Sequence, residues 1–234
     1  MVGSQLRSLP RIFVPGASSS GPIPLPQDEI DKLRKVLRLA QGAEIAVLPN
    51  NGTVVRCRFE HREAVPIEVV RPETEAELDV AIAQALPKGD KLDEIVRTCT
   101  EIGVKRFVLF PSDRTVVKWD AKKTGQRLQR LETIAREASE ISFRTRLPVF
   151  ELRNDLSSVL EGDPDAVVLS ESEGLARVLP KPTGPICLVV GPEGGWSPRE
   201  MALIGDRGVT LGPRVLRVDH AAAAAASILL LAHD

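Results

Sequence analysis

Gly191-Pro192-Glu193-Gly194-Gly195-Trp196 is the run of this 234-residue chain best suited to holding a ligand. It follows the apolar stretch Ile186–Val190, and glycines there let backbone N–H groups come close to a bound molecule. Ser197-Pro198-Arg199-Glu200 comes next. Ser197 suits a helix N-cap, Pro198 the first helical position and Glu200 the third residue of a capping box. A second block, Leu211-Gly212-Pro213-Arg214-Val215-Leu216-Arg217, ends another short strand and leads into the alanine-rich run at Ala221. Gly212-Pro213 forces a sharp turn there. Arg214 and Arg217, three apart, suit either a shared pocket or phosphate, or exposed caps. Ligands bind at the carboxyl ends of strands in α/β sheets. The two blocks therefore read as two lips of one small-molecule pocket. Neither block is a GxGxxG fingerprint, and no GxxxxGK[ST] is present, which argues against dinucleotide and P-loop folds.

Other chemistries find less material. Cys57, Cys99 and Cys187 are far apart and make no CxxC or Cys/His cluster. A zinc site and a disulfide framework are not expected, and a reducing, cytoplasmic setting is. Met1 to Pro15 lacks the apolar core of a secretory signal. The longest apolar run, Ala221–Ala232, is too short to span a bilayer, so no membrane association is expected. The formal net charge is −1, unevenly spread. Residues 1–72 and 80–148 carry an excess of Lys and Arg, and residues 149–234 an excess of Asp and Glu. A basic front suits a polyanion partner on one side, or is a solvated surface.

The elements that position these loops follow from periodicity. Residues 10–70 hold short β-rich runs: Ile12–Val14, Glu44–Leu48, Thr53–Phe59 and Pro66–Val70. Asn50-Asn51-Gly52 between two of them is a hairpin turn. A helix over Gln27–Leu39 is expected, with Leu33, Val36 and Leu37 on one face. Residues 1–72 thus form a small barrel-like β domain. The acidic stretch Pro72–Glu77 is a linker to residues 73–234. There Leu78–Leu86, Arg106–Phe110, Val149–Leu152, Ala166–Leu169 and Ile186–Val190 read as strands. Leu92, Ile95, Val96, Cys99 and Ile102 have helical spacing ended by Gly103, and Ala121–Ser142 is a long helix. Alternation of this kind implies βαβ units and a mostly parallel sheet.

Four ordered motifs resemble one family. They are Lys32–Arg38, Pro87–Asp93 with Thr100–Val104, Glu137–Glu140 through to Pro148, and the Gly191–Gly195 and Leu211–Arg217 blocks. Across nearly its whole length the chain resembles the RsmE family, the 16S ribosomal RNA uridine N3-methyltransferases of the SPOUT superfamily. That resemblance implies a SPOUT-type, mostly parallel α/β sheet with a C-terminal trefoil knot, preceded by a PUA-like β-barrel. A knot is an exception to the rule that connections do not thread. It also implies a homodimer, S-adenosylmethionine (SAM) as cofactor, no metal, and 16S ribosomal RNA of the small subunit as partner. Gly191, Pro192, Glu193, Gly194, Gly195, Leu211, Gly212, Leu216 and Arg217 then line the cofactor pocket, with Ser170 and Glu171 as a third lip. Arg144, matching the arginine of the family's Q-S-G-R segment, orients the target uridine. Arg7, Arg11, Lys32, Arg34, Lys35 and Arg38 offer a phosphate-contacting strip, and Arg146 or Arg217 grips RNA phosphate. With 3% aromatic residues and no tyrosine, recognition by shape and backbone charge is expected rather than base stacking.

The chain departs from the family pattern at Ile141 and Phe143, where the family has Gln and Gly, and at Val218, Asp219 and His220 after Arg217. His220 is either a base working near neutral pH or a helix N-terminal residue. These departures keep two alternatives open. One is a SPOUT methyltransferase with a different RNA target. The other is a non-catalytic RNA-binding or ribosome assembly protein.

Overall fold

The computed structural model describes residues 6–172, 179 and 181–231. Residues 1–5 and Ala232, which entered the readings of the N-terminus and of the apolar run, lie outside them. The fold is mixed α/β, with one curled, half-barrel sheet and one parallel sheet. Contacts divide the chain into two compact units. The first comprises the residues up to Glu75 together with Ser139–Leu147, and the second Ala76–Ala138 together with the residues from Pro148 on. The sequence reading put residues 139–147 in the second domain; by contacts they group with the first.

The first unit is built on a five-stranded sheet in the order β1-β3-β4-β5-β2. The strands are β1 (Arg11–Phe13), β2 (Ile23–Pro24), β3 (Glu44–Leu48), β4 (Val54–Glu60) and β5 (Glu63–Val70). β1 runs parallel to β3, and the other pairs are antiparallel. After the exposed Glu44, β3 is buried on both faces, which explains the unbroken apolar run Ile45–Leu48. Ile45 and Val47 join one cluster with Ile12, Leu33 and Phe59. Ala46 and Leu48 join another with Phe13, Val54 and Phe143. The expected Asn-Asn-Gly hairpin is present, with positive φ at Asn50 (64°) and Gly52 (91°).

The helix expected over Gln27–Leu39 is corrected. α1 spans only Gln27–Asp31 and passes into a π-helical turn, Lys32–Val36, closed by a bond from the Leu37 N–H to the Lys32 carbonyl (2.9 Å). The wider turn breaks the 3.6-residue period on which the apolar face was read. Leu33 is buried, whereas Val36 is 73% exposed.

Phe143, where the family resemblance expects glycine, has φ 61° and is nonetheless buried. Arg11 lies over its ring at 5.2 Å. Burial of a large aromatic ring offsets the strain of a left-handed backbone at a non-glycine residue.

The second unit carries six parallel strands: β6 (Val80–Ala85), β7 (Arg106–Phe110), β8 (Val149–Leu152), β9 (Val167–Leu169), β10 (Ile186–Val190) and β11 (Gly208–Val209). Their order is β11-β9-β10-β6-β7-β8. The helices are α2 (Lys91–Ile102), α3 (Ala121–Ile141), α4 (Leu156–Gly162), α5 (Pro198–Ile204) and α6 (Val218–Leu230). α2 stops where Gly103 adopts φ 115°. Alternation along β6 divides the core. Val80 and Ile82 face a cluster that includes Ile95, Val96, Ala225 and Leu229 of α2 and α6. Ala81, Ala83 and Ala85 face Leu156, Val159, Trp196 and Ile204. From β6 the chain moves outward to β8, then returns to lay β10 against the other edge of β6. That reversal is the kind of position where open α/β sheets bind ligands. Among the described residues no helix is long and apolar enough to cross a membrane.

All three thiols are buried, and burial pushes each up to about 12. At about pH 8 the native protein is therefore expected to resist a thiol reagent, and all three cysteines to react once it is unfolded. Fast labelling of any one thiol in native protein would contradict this packing.

Candidate active site

The carboxyl ends of β9 and β10, with the segment after β11, enclose a cavity of about 520 Å³ in the second unit. Its walls come from three segments. Ser170 and Glu171 follow β9, Gly191 to Trp196 follow β10, and Leu211 with Arg214–Arg217 follow β11. Every residue expected from sequence at the pocket lines it except Gly212, which turns the chain instead (φ 134°). Lys91, Arg114 and Met201 also line it and were missed. They come from other loops and helices, and nothing in their local sequence signals where those elements converge.

The glycine loop is held from several sides. Gly195 N–H donates to the Pro192 carbonyl (2.9 Å) and closes the turn. A Cβ on Gly191 would stand 3.0 Å from the Trp196 indole. That indole is buried, stacks on Phe110 and donates to the Leu169 carbonyl (2.9 Å), so β9, β10 and the loop are locked through one ring. The capping box read from sequence is present: Ser197 Oγ accepts from the Glu200 N–H and Glu200 from the Ser197 N–H.

Glu193 lines the cavity, but its carboxylate is occupied. It accepts from the Lys88 N–H (3.0 Å) and from Lys91 Nζ (2.7 Å). Burial raises its proton affinity, while Lys91 and backbone N–H donors outweigh that and hold it below the usual carboxylate range. The lysine-rich motif at 87–93 therefore clasps the glycine loop. Arg217 is the N-cap residue of α6 and makes two bonds to Asp219 (3.1 and 2.8 Å). His220 is the third residue of that helix and is exposed.

A second clasp joins the loop after β7 to α5. Asp113 accepts from Arg199 at 3.0 and 2.5 Å and from Ser197 Oγ at 2.5 Å, while its own N–H donates to Glu200 (3.0 Å). Arg199 first, and Ser197 next, hold the Asp113 carboxyl at about 2, below its ordinary 3.8. A depressed carboxylate stabilises the fold above its unfolded pKa and loses that contribution as pH falls through the folded value. The melting-temperature gap between wild type and Asp113→Asn is thus expected to hold steady above about pH 4 and to close towards about pH 2. A gap unchanged at the acid end would contradict the clasp.

The arginine expected to orient the target nucleobase lies elsewhere, in the first unit. Arg144 is 2% exposed, and its Nε and Nη2 donate to Glu75 Oε2 (3.2 and 3.0 Å). Its guanidinium is thus engaged by Glu75 within the first unit. The basic strip is also only partly available. Lys32 pairs with Glu140 (2.5 Å) and Glu29 (3.5 Å). Arg11 is half-buried against Phe143. Arg146 is exposed and donates to the Asn51 carbonyl (2.9 Å). Arg34, Lys35 and Arg38 are exposed on the π-helical turn and the residues just after it. Arg34 lies over the Phe59 ring, and Lys35 pairs with Asp31 (3.0 Å).

A smaller cavity, of about 390 Å³, opens at the amino ends of the strands among Asp79, Lys105, Arg106 and Asp163. Its cations are neutralised by Asp79 and Asp163, which leaves the larger cavity as the candidate site.

Residues 74–230 match the family model for an RNA methyltransferase domain. The chain is 32% identical to the ribosomal RNA small subunit methyltransferase E of Bacillus subtilis, over 83% of this chain and 84% of that one. It is 34% identical to the enzyme of the same name from Synechocystis, over 81% of this chain and 66% of the relative. The crystal structure of the Neisseria gonorrhoeae ribosomal RNA small subunit methyltransferase E bound to S-adenosyl methionine superposes with a TM-score of 0.84 at 27% identity, covering 94% of this chain and 96% of that one. With the domain model matched over most of its length and relatives of one name along both units, this chain belongs to the ribosomal RNA small subunit methyltransferase E family.

Proposed function

We propose that this protein transfers a methyl group from SAM to N3 of a uridine in the 16S ribosomal RNA of the small subunit, in the cytoplasm. The observation that carries the reading is the cavity framed by the loops after β9, β10 and β11 in a chain of this family. Its volume is in the range of small-molecule sites. Its wall combines apolar Leu169, Val190, Met201 and Leu211 with the open backbone of Gly191–Gly195, a surface fitted to a nucleoside carrying a short polar arm. Ser170, Glu171, Gly191–Gly195, Leu211 and Leu216 would hold SAM. When bound, SAM supplies a methyl group activated by a sulfonium. The residues around it then have to exclude water and align the acceptor nitrogen, which is chiefly a matter of positioning. The acceptor also has to lose the N3 proton, and a fixed cation nearby helps it do so.

On this reading the order β11-β9-β10-β6 belongs to a knotted SPOUT domain over residues 73–234, and the five-stranded sheet to a PUA-like RNA-binding barrel over residues 1–72. The protein works as a homodimer. Support comes from the apolar side chains left exposed on α6 and at its two ends, Ile228, Val215 and Leu231. RNA phosphates meet Arg34, Lys35, Arg38 and Arg146.

The test is transfer of labelled methyl from SAM to unmodified small ribosomal subunits, with digestion and identification of the labelled base. The expected product is N3-methyluridine in 16S RNA. Label on another RNA would move the reading to a different target. No label, on particles that a control enzyme modifies, would leave a binding role.

A further inference from the structure

Four cations line the larger cavity: Lys91, Arg114, Arg214 and Arg217. Two are neutralised, Lys91 by Glu193 and Arg217 by Asp219. Arg214 is exposed, and no hydrogen bond fixes it among the described residues. Arg114 is exposed too, but it differs from all three in being fixed by a neutral partner. Its Nη1 donates to the Gly194 carbonyl (2.7 Å), a neutral partner, and among the described residues no carboxylate pairs with it. Its backbone is fixed as well. Asp113 before it is clasped by Arg199, Ser197 and Glu200. After it, Thr115 exchanges two bonds of 2.9 Å with Ser112. The packing is close enough that a Cβ on Gly194 would stand 3.2 Å from the Arg114 Cβ. The result is a positive charge on the wall of the cavity, held at backbone and tip and without a carboxylate partner among the described residues. Preorganised charge of this kind is what stabilises an anion that develops during reaction.

We propose that Arg114 is a catalytic residue that stabilises the deprotonated imide of the target base; this rests on the methyl-transfer reading above. The N3–H bond breaks and its proton passes to solvent water, leaving the electron pair on N3. The negative charge spreads onto the flanking carbonyl oxygens, where the guanidinium N–H groups not used by Gly194 can donate. The N3 pair then forms the bond to the methyl carbon as the carbon–sulfur bond breaks. The electrons of that bond remain on sulfur as a neutral thioether, so cation and anion cancel. Arg114 needs no change of protonation. The Asp113 clasp makes Arg199 and Ser197 positioning residues for it.

The experiment compares wild type, Arg114→Ala and Arg114→Lys in SAM binding by calorimetry and in methyl transfer to unmodified small subunits at saturating SAM. For Arg114→Ala the transfer rate is expected to fall by about 100-fold or more, while SAM affinity changes by less than about threefold. The deficit should shrink as pH rises, because hydroxide then removes the imide proton unaided. Arg114→Lys should recover part of the rate. Weaker SAM binding with an unchanged saturating rate would make Arg114 a cofactor ligand and overturn the proposal. So would a variant equal to wild type in both measurements. If wild type itself transfers no methyl, the functional reading fails and this proposal falls with it.

Discussion

Replacing Glu75 with alanine is expected to destabilise the protein by about 3–5 kcal/mol, the cost of removing one partner from a buried ion pair. Glu75 is the hub of the returning segment in the first unit. Its carboxylate accepts from Arg144 through Nε and Nη2, from the N–H and hydroxyl of Thr145, and from the N–H of Arg146. The Arg144 guanidinium is almost wholly buried. Without Glu75 it loses the carboxylate that balances it. The Arg144→Met change should cost less, since a flexible apolar side chain refills the volume while the Glu75 carboxylate, 17% exposed, keeps its bonds from Thr145 and Arg146. Chemical denaturation of both variants checks this. A loss below about 1 kcal/mol for Glu75→Ala would show that the pair is solvated, in contradiction to the packing.

The second large effect is expected at Gly191. A Cβ there already meets the Trp196 ring at 3.0 and 3.1 Å, and valine adds two further methyl groups. The ring has no easy retreat, because it lies against Phe110 and its N–H is bonded to Leu169. Gly191→Val must therefore move the glycine loop itself. Overpacking of this kind costs about 1–3 kcal/mol of stability. The larger consequence is for the ligand: SAM affinity should fall by about 100-fold, as the loop N–H groups leave their positions. Calorimetric titration with SAM measures it. Unchanged affinity would separate the glycine loop from cofactor binding.

The legible part of the site was the part written in contiguous residues. The glycine loop, the Ser197–Glu200 capping box and the second lip at Leu211 each carry a local signature, and the structure gathers them at the carboxyl ends of adjacent strands. The parallel sheet was legible for the same reason: each βα unit announces itself by a change of period. What local pattern cannot carry is the partner of a charge. Glu193 lines the cavity, but nothing near it in sequence shows that Lys88 and Lys91, about a hundred positions earlier, hold its carboxylate. Arg144 matched a catalytic position by motif, yet Glu75, nearly seventy residues away, occupies it. The return of Ser139–Leu147 to the first unit is likewise fixed by distant bonds, from the Leu147 N–H to Asn50 (2.7 Å) and from Lys32 to Glu140. The π-helical turn at Lys32–Val36 escaped because the sequence keeps a helical pattern there while the backbone does not.

Whether the cavity at the ends of β9, β10 and β11 is the cofactor site is decided by amide hydrogen exchange with and without S-adenosylhomocysteine. Bound ligand is expected to slow exchange at Ser170–Glu171, across the non-proline residues of Gly191–Trp196, and in the segment from Leu211 to Arg217. Exchange around Asp79, Arg106 and Asp163, which line the smaller cavity, should stay unchanged. Protection confined to that second cavity, or none at either one, would contradict that placement of the cofactor site.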